Sequence, residues 1–168
     1  MASFYSRLLG TWELLSFTAA NIDNREDVTY PMGSACKGQI MYSEDGYMAA
    51  VLQWGYVEPY KTDWIRATTE EFADAGRRTM AYSGPFYLDE QSRDSQEILH
   101  HAKISIPPNW VDTVQLRQAE MTEEHGETIL TLGPKFPMEH DGMKRILRLR
   151  WRKCPRNDTR KAPAEAGM

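Results

Sequence analysis

Cysteine is scarce in this chain: of 168 residues only Cys36 and Cys154 are cysteines, and their separation matches neither a metal-ligand spacing nor a redox pair. Both are expected to be reduced thiols, as in intracellular proteins. Histidine is nearly as scarce, and His100, His101, His125 and His140 show none of the helical pairing that builds a zinc site. No metal and no cofactor are therefore expected. Long apolar runs are absent as well, none approaching the roughly 18 residues of a membrane-spanning helix. The opening Met1-Ala2-Ser3-Phe4-Tyr5-Ser6-Arg7 lacks the basic-then-apolar pattern of a secretory signal, so a soluble cytoplasmic protein without membrane attachment is expected. A glycine-rich nucleotide loop, a nucleophile elbow and a cysteine with a suitably placed partner are also missing. Nucleotide, flavin and acyl-enzyme chemistries are disfavoured accordingly.

What is there suits one globular domain. With 41% hydrophobic and 26% charged residues the chain can bury a core, and its length fits a single domain, expected over 1–153. A basic tail, 154–168, carries Pro155, Pro163 and Gly167 and is expected to be disordered. The net charge of −4 is uneven, with residues 1–143 at −11 and residues 144–168 at +7. Such a basic end can bind nucleic acid. Here Lys144, Arg148, Arg150 and Arg152 share one strand parity and Leu147, Leu149 and Trp151 the other, the pattern of a strand with one wet face. The acidic remainder would also repel a phosphate backbone, so no nucleic-acid partner is expected.

The chain reads mainly as strands. Residues 11–18 are rich in β-formers, and the segments 38–42 and 47–52 flank Ser43-Glu44-Asp45-Gly46, a hairpin in which glycine supplies the positive φ of the turn. One α-helix is expected at about residues 69–81, capped by Thr69 and carrying Phe72, Ala75, Gly76 and Met80 at helical spacing. Further strands are expected over 82–88, 96–106, 111–121, 128–132 and 143–151, with turns at Asp89 and Asp94, at Pro107-Pro108-Asn109, at His125-Gly126 and at Gly133-Pro134. Eight strands with one inserted helix and a short apolar N-terminal segment suggest an antiparallel β-barrel.

Several short stretches sharpen that reading. They are Leu9-Gly10-Thr11-Trp12-Glu13-Leu14, Tyr30-Pro31-Met32-Gly33, the hairpin from Gly38 to Met48, Tyr82-Ser83-Gly84, His100-His101, and Pro108-Asn109-Trp110-Val111 followed by Gln115 and Arg117. Together, over residues 8 to about 151, the chain resembles the lipocalin-like domain family of small bacterial and fungal proteins, some of them associated with secondary metabolism. The resemblance implies an eight-stranded barrel with a hydrophobic cavity and a tryptophan, here Trp12, plugging one end. Two positions depart from it: Asp112 stands where members commonly carry glycine, and Ala119 stands where they carry an aromatic, a change expected to enlarge the interior.

An eight-stranded barrel has room for side chains or for one small ligand, and strand alternation selects which residues face inward. On the strand from Gln96 the inward set is Ile98, His100, Ala102, Ile104 and Ile106; on the next it includes Gln115, Arg117 and Ala119. Tyr42, Met48, Leu52, Trp54, Tyr82, Phe86 and Trp12 are placed inward by the same rule. The candidate catalytic residues are His100, Arg117 and Tyr82, because an imidazole in an apolar lumen can transfer protons near neutral pH and a guanidinium can hold an enolate, phenolate or carboxylate. Tyr42, Met48, Leu52, Trp54, Phe86, Gln115 and Trp12 are the candidate ligand-binding residues. Each polar member also has a structural reading: His100 as a satisfied core histidine, Arg117 stacked on Trp12 across the closed end and bonded to backbone carbonyls.

Two functions stay open. The first is a cofactor-independent cyclase, isomerase or dehydratase that folds a small hydrophobic polyketide- or terpenoid-like metabolite inside the barrel and acts by positioning and proton transfer. The alternative is a non-catalytic carrier of such a metabolite. A lumen filled by its own side chains is a third, structural reading, and homo-oligomerisation is left open.

Overall fold

The computed structural model describes residues 3–89 and 96–161. The turn expected at Asp94 and the last seven residues of the basic tail lie outside the described residues. Eleven strands form one sheet: β1 (Gly10–Asn21), β2 (Val28–Thr29), β3 (Lys37–Tyr42), β4 (Tyr47–Gln53), β5 (Thr79–Asp89), β6 (Gln96–His101), β7 (Ile104–Ile106), β8 (Val114–Glu124), β9 (Glu127–Gly133), β10 (Met138–His140) and β11 (Met143–Lys153). Eight of them run antiparallel in the order β11-β9-β8-β6-β5-β4-β3-β1, and β1 returns to pair with β11. The sheet is thus a closed eight-stranded barrel, with β2, β7 and β10 as short strands attached to it.

Local chemistry explains the ends of the elements. The β3–β4 hairpin turns through Gly46 at φ 87°, a conformation that costs glycine nothing. Helix α1 (Phe4–Leu8) is capped by the Ser3 hydroxyl, and helix α2 (Thr69–Arg77) by Thr68, whose side chain accepts from the Glu71 N–H while the Glu71 carboxylate accepts from the Thr68 N–H. That reciprocal box places the cap one residue before the expected Thr69. The helix ends at Arg77, short of residue 81, because β5 begins at Thr79 and pairs with Gln53 of β4. Phe72 is left exposed and packs on Tyr60.

The expected strand over 96–106 divides. Inward alternation holds through Ile98, His100 and Ala102, each fully buried. At Ala102 the backbone closes on itself, accepting from Asp112 N–H and donating to Thr113 O, and β7 runs on beside β5 one residue out of register, Ser83 pairing with Ile104 where Phe86 pairs with His100. Ile104 and Ile106 are consequently exposed, not inward as their parity implied. Asp112 takes a φ of 61° here, in the left-handed region that favours glycine, and pairs with Lys103 at 2.7 Å.

Core residues converge from both ends of the chain. Leu8, Trp12, Ile40, Tyr42, Leu52, Ile98, Leu130 and Trp151 are essentially inaccessible. On β11 the inward parity also holds Arg145, which is buried and paired with Asp27 at 3.1 Å and with the carbonyls of Ala19 and Asp27. The outward Arg150 meets Glu124 at 2.6 Å, and Arg152 meets Glu13 at 2.8 Å. None of the described helices is long and apolar enough to cross a membrane.

Candidate functional site

One end of the barrel is solid. Helix α1 lies over it, the Trp12 indole N–H donates to Leu8 O at 2.8 Å, and Lys153 Nζ sits 4.4 Å above the Trp12 ring. The structural reading of Arg117 stacks it on Trp12; Lys153 stands there instead, because β11 runs beside β1 in a register that pairs Trp12 with Lys153. Tyr42, Met48 and Phe86 are packed at the same end, with Phe86 edge-on to Tyr42 at 5.1 Å and stacked with Tyr5 of α1 at 6.4 Å.

Towards the other end lies a cavity of about 240 Å³. Its wall is mostly apolar, from Phe17, Ile40, Leu52 and Met80 round to Leu149 and Trp151. Polar character enters at Tyr82, Gln115 and Arg117. Met138 and Pro134 also line it, and Met138 is half exposed, so that side borders solvent. Of the expected ligand-binding residues, Leu52 and Gln115 line this cavity, as do the candidate catalytic residues Arg117 and Tyr82. Trp12, Tyr42, Met48 and Phe86 are outside its wall, in the solid end. Trp54 lies beyond β4, exposed, with the Arg78 guanidinium 5.3 Å from its ring; the inward alternation ends at Leu52. Ala119, expected to enlarge the interior, is buried but does not border the cavity.

Arg117 is half-buried and hydrogen-bonded to its own strand. Its Nη1 donates to Leu116 O at 3.1 Å, its Nη2 donates to Gln115 Oε1 at 3.4 Å, and its guanidinium carbon lies 5.8 Å from the Trp110 ring. Gln115 is itself oriented, its amide donating to Thr113 Oγ1 at 2.8 Å. Among the described residues Arg117 makes no ion pair, and its guanidinium has more N–H groups than these acceptors use.

His100 is set behind this wall. The Tyr42 hydroxyl is 2.9 Å from its Nε2 and the Tyr82 hydroxyl 2.8 Å from its Nδ1. Complete burial, reinforced by the Arg117 charge, lowers its pKa from 6.5 to about 3, so the ring is neutral at physiological pH. A neutral imidazole offers one donor and one acceptor; one tyrosine hydroxyl therefore accepts from the ring while the other donates to it. Burial raises both phenols, that of Tyr42 well above its usual value, while Arg117 pulls each in the opposite direction. Both remain protonated donors at neutral pH.

Trp110 is the wall residue that strand alternation could not supply. It comes from the single turn Pro108–Trp110 ahead of β8, and its ring stands between Arg117 and Tyr82, edge-on to the latter at 5.4 Å. The signal was the Pro-Asn-Trp-Val stretch itself. Leu147, Leu149 and Trp151 were visible as one dry face of β11 without an assignment to the ligand space.

The model of the lipocalin-like domain family matches residues 9–154. The chain belongs to that family. A further similarity is to an Aspergillus oryzae protein named as a 4′-hydroxy-3′-methoxypropiophenone carrier protein, 30% identical over 111 residues, which are 64% of this chain and 96% of the relative. Among the described residues of this lipocalin-like barrel no cluster of three or more histidine, cysteine, aspartate or glutamate side chains is placed to hold a metal ion. Membership of the family and a relative named as a carrier both support the binding of small molecules.

Proposed function

We propose that this lipocalin-like protein binds and carries a small, oxygenated aromatic metabolite of secondary metabolism in the cavity bounded by Tyr82, Gln115, Arg117 and Trp151. The observation that carries the reading is the Arg117 guanidinium, without a carboxylate partner among the described residues, on a mostly apolar space of about 240 Å³. Arg117 is half-buried, and a cation at the edge of apolar surroundings gains from an oxygen acceptor that replaces lost water, which an oxygen-bearing ligand supplies. Because a water molecule's share of liquid volume is about 30 Å³, the space corresponds to roughly eight waters, the scale of one substituted aromatic ring. The carrier name of the Aspergillus oryzae relative points the same way.

Catalysis of a cyclisation, isomerisation or dehydration is the second reading, favoured by one observation: Tyr82 borders the cavity and is backed by His100, so a proton at its hydroxyl has a neighbour to exchange with. The low pKa of His100 works against a general-base role, since a group titrating near 3 is a weak base at neutral pH.

The two readings separate in one experiment. Purified protein is titrated with 4′-hydroxy-3′-methoxypropiophenone while tryptophan fluorescence is followed, and the ligand is recovered for mass spectrometry. Saturable one-to-one binding with the ligand returned unchanged supports the carrier. Conversion of the ligand supports the enzyme, and no binding of this or related phenolic ketones overturns the carrier proposal.

A further inference from the structure

The outside of the barrel has two characters. Across β1, β8, β9 and β11 it is laced with ion pairs, Arg150 with Glu124 and Arg152 with Glu13 and Glu127. Across β3, β4, β5 and β7 two adjoining rows carry no charge at all. Register sets Met41, Ala49, Ser83 and Ile104 side by side in one row and Gln39, Val51, Ala81 and Ile106 in the next. Residues paired across strands share a face. This face is turned to solvent, with Ile104 72% and Ile106 49% exposed and Met41 and Val51 close to half exposed. A one-sided sheet normally shows polar residues to water, and a contiguous apolar patch marks a contact surface.

The relief of the face says what fits it. In the first row the small Ala49 and Ser83 lie between Met41 and Ile104, and in the second Ala81 lies between Val51 and Ile106. A shallow groove of about 230 Å³ results, with alanine and serine on its floor and the β7 isoleucines along one side. A ridge thus stands one strand away from a groove.

We propose that this face joins two copies of the chain in a weak, reversible dimer, the isoleucine ridge of each seated in the groove of the other. A two-fold axis lying in the contact plane, along the strands between β5 and β7, carries the ridge of one copy onto the β5 floor of the other. Ile106 then meets Ala81 of the other copy, and Ile104 meets Ser83. One patch serves both sides, as a closed two-fold contact requires. Charge favours a second copy over a charged partner, because the two rows offer neither sign anything to pair with. Charged groups begin at the rim, with Glu13 beside Gln39 and Lys103 one residue before Ile104, the arrangement of an interface with an apolar centre. Size sets the strength. Four strands about 4.8 Å apart, over the roughly 20 Å from Tyr47 to Gln53, outline about 400 Å² per copy. Two copies cover about 800 Å² before side-chain relief is counted, against about 1,600 Å² for a standard stable complex, which fits an equilibrium and not a permanent dimer. The dimer does not depend on the ligand reading, and either stands without the other.

Sedimentation velocity on the full chain, from about 5 µM to about 1 mM to span weak association, is expected to show monomer and dimer in reversible equilibrium. Ile104→Glu sets a carboxylate into the apolar groove of the other copy and is expected to raise the dissociation constant more than about tenfold. The melting temperature should hold, because the position is exposed in the monomer. Phe136→Glu alters an equally exposed apolar side chain between β9 and β10, and is expected to leave the equilibrium within about twofold of wild type. In a mixture of carbon-13-labelled and unlabelled wild-type protein, isotope-filtered NMR is expected to show contacts from the Ile106 methyls to the Ala81 methyl of the other copy. A chain that stays monomeric at the highest concentration overturns the proposal, as does a dimer that I104E leaves intact or that F136E weakens equally. A dimer whose filtered contacts lie elsewhere on the barrel overturns it too, whether or not either variant folds.

Discussion

The Tyr82 hydroxyl lies 2.8 Å from His100 Nδ1 while the same residue forms part of the cavity wall, so it joins the buried histidine to the cavity. Because His100 takes up a proton at about 6.5 when unfolded and only at about 3 when folded, the unfolded state binds more protons between those values. Stability therefore falls as pH drops through that window, by up to about 1.4 kcal/mol per pH unit, and the penalty is constant below it. Asp27, held below its usual value by Asn21 and Arg145, adds a loss of the same sign below the ordinary carboxylate range. Chemical denaturation across pH 4 to 7 is expected to show the slope in wild type and a much flatter profile in His100→Gln, which bridges the two hydroxyls without titrating. An unchanged slope in that variant would assign the acid sensitivity elsewhere.

Arg117→Lys is expected to weaken binding of a phenolic ketone about tenfold, with little change in melting temperature, since lysine keeps the charge and loses the planar fork. Titration calorimetry beside a thermal melt distinguishes the outcomes. A large fall in melting temperature without a separable effect on binding would make Arg117 a structural residue.

Gly133 and Gly126 separate packing from backbone strain. A Cβ on Gly133 would stand 2.2 Å from Leu147 O and 2.7 Å from an Arg148 nitrogen, so Gly133→Ala must part β9 from β11. It is expected to cost about 3 kcal/mol, the upper end of overpacking, and to weaken ligand binding because Leu132 and Leu147 border the cavity. Gly126, at φ 82° with open space around it, is expected to cost about 1–2 kcal/mol as alanine with binding intact. Equilibrium unfolding and a binding titration on both variants check the contrast.

Lys153 fastens the solid end, donating to Arg7 O at 2.8 Å and to Leu9 O above the Trp12 ring. Lys153→Met is expected to lose about 2 kcal/mol, the scale of a charged hydrogen bond with a modest cation–π contribution. The dissociation constant of a cavity ligand should hold within about twofold. A large change in affinity would mean that the solid end and the cavity are coupled.

The barrel was legible because alternation survives wherever a strand stays in the wall. The inward positions on β8, Gln115 and Arg117, and on β6, Ile98 and His100, could be read from parity. Parity gives the face of a residue and not its depth along the barrel. Trp12, Tyr42, Met48 and Phe86 share the inward face with Leu52, yet α1 closes their end and fills it. Alternation also fails silently where a strand ends or slips: Trp54 lies one residue past the end of β4, and Ile104 and Ile106 follow the one-residue register shift after Ala102. Trp110 stands on a single helical turn and has no strand parity to read.

The pairing of β1 with β11 also governs the order of events during synthesis. The strand that seals the barrel follows the other described strands along the chain, and Leu147, Leu149 and Trp151 of that strand are a side of the cavity. Until it docks, β1 and β9 are open edges that any extended chain can join. Completing the fold and acquiring the binding space are thus one step, and a nascent chain stopped before residue 143 has neither a sealed wall nor a place to hold a ligand.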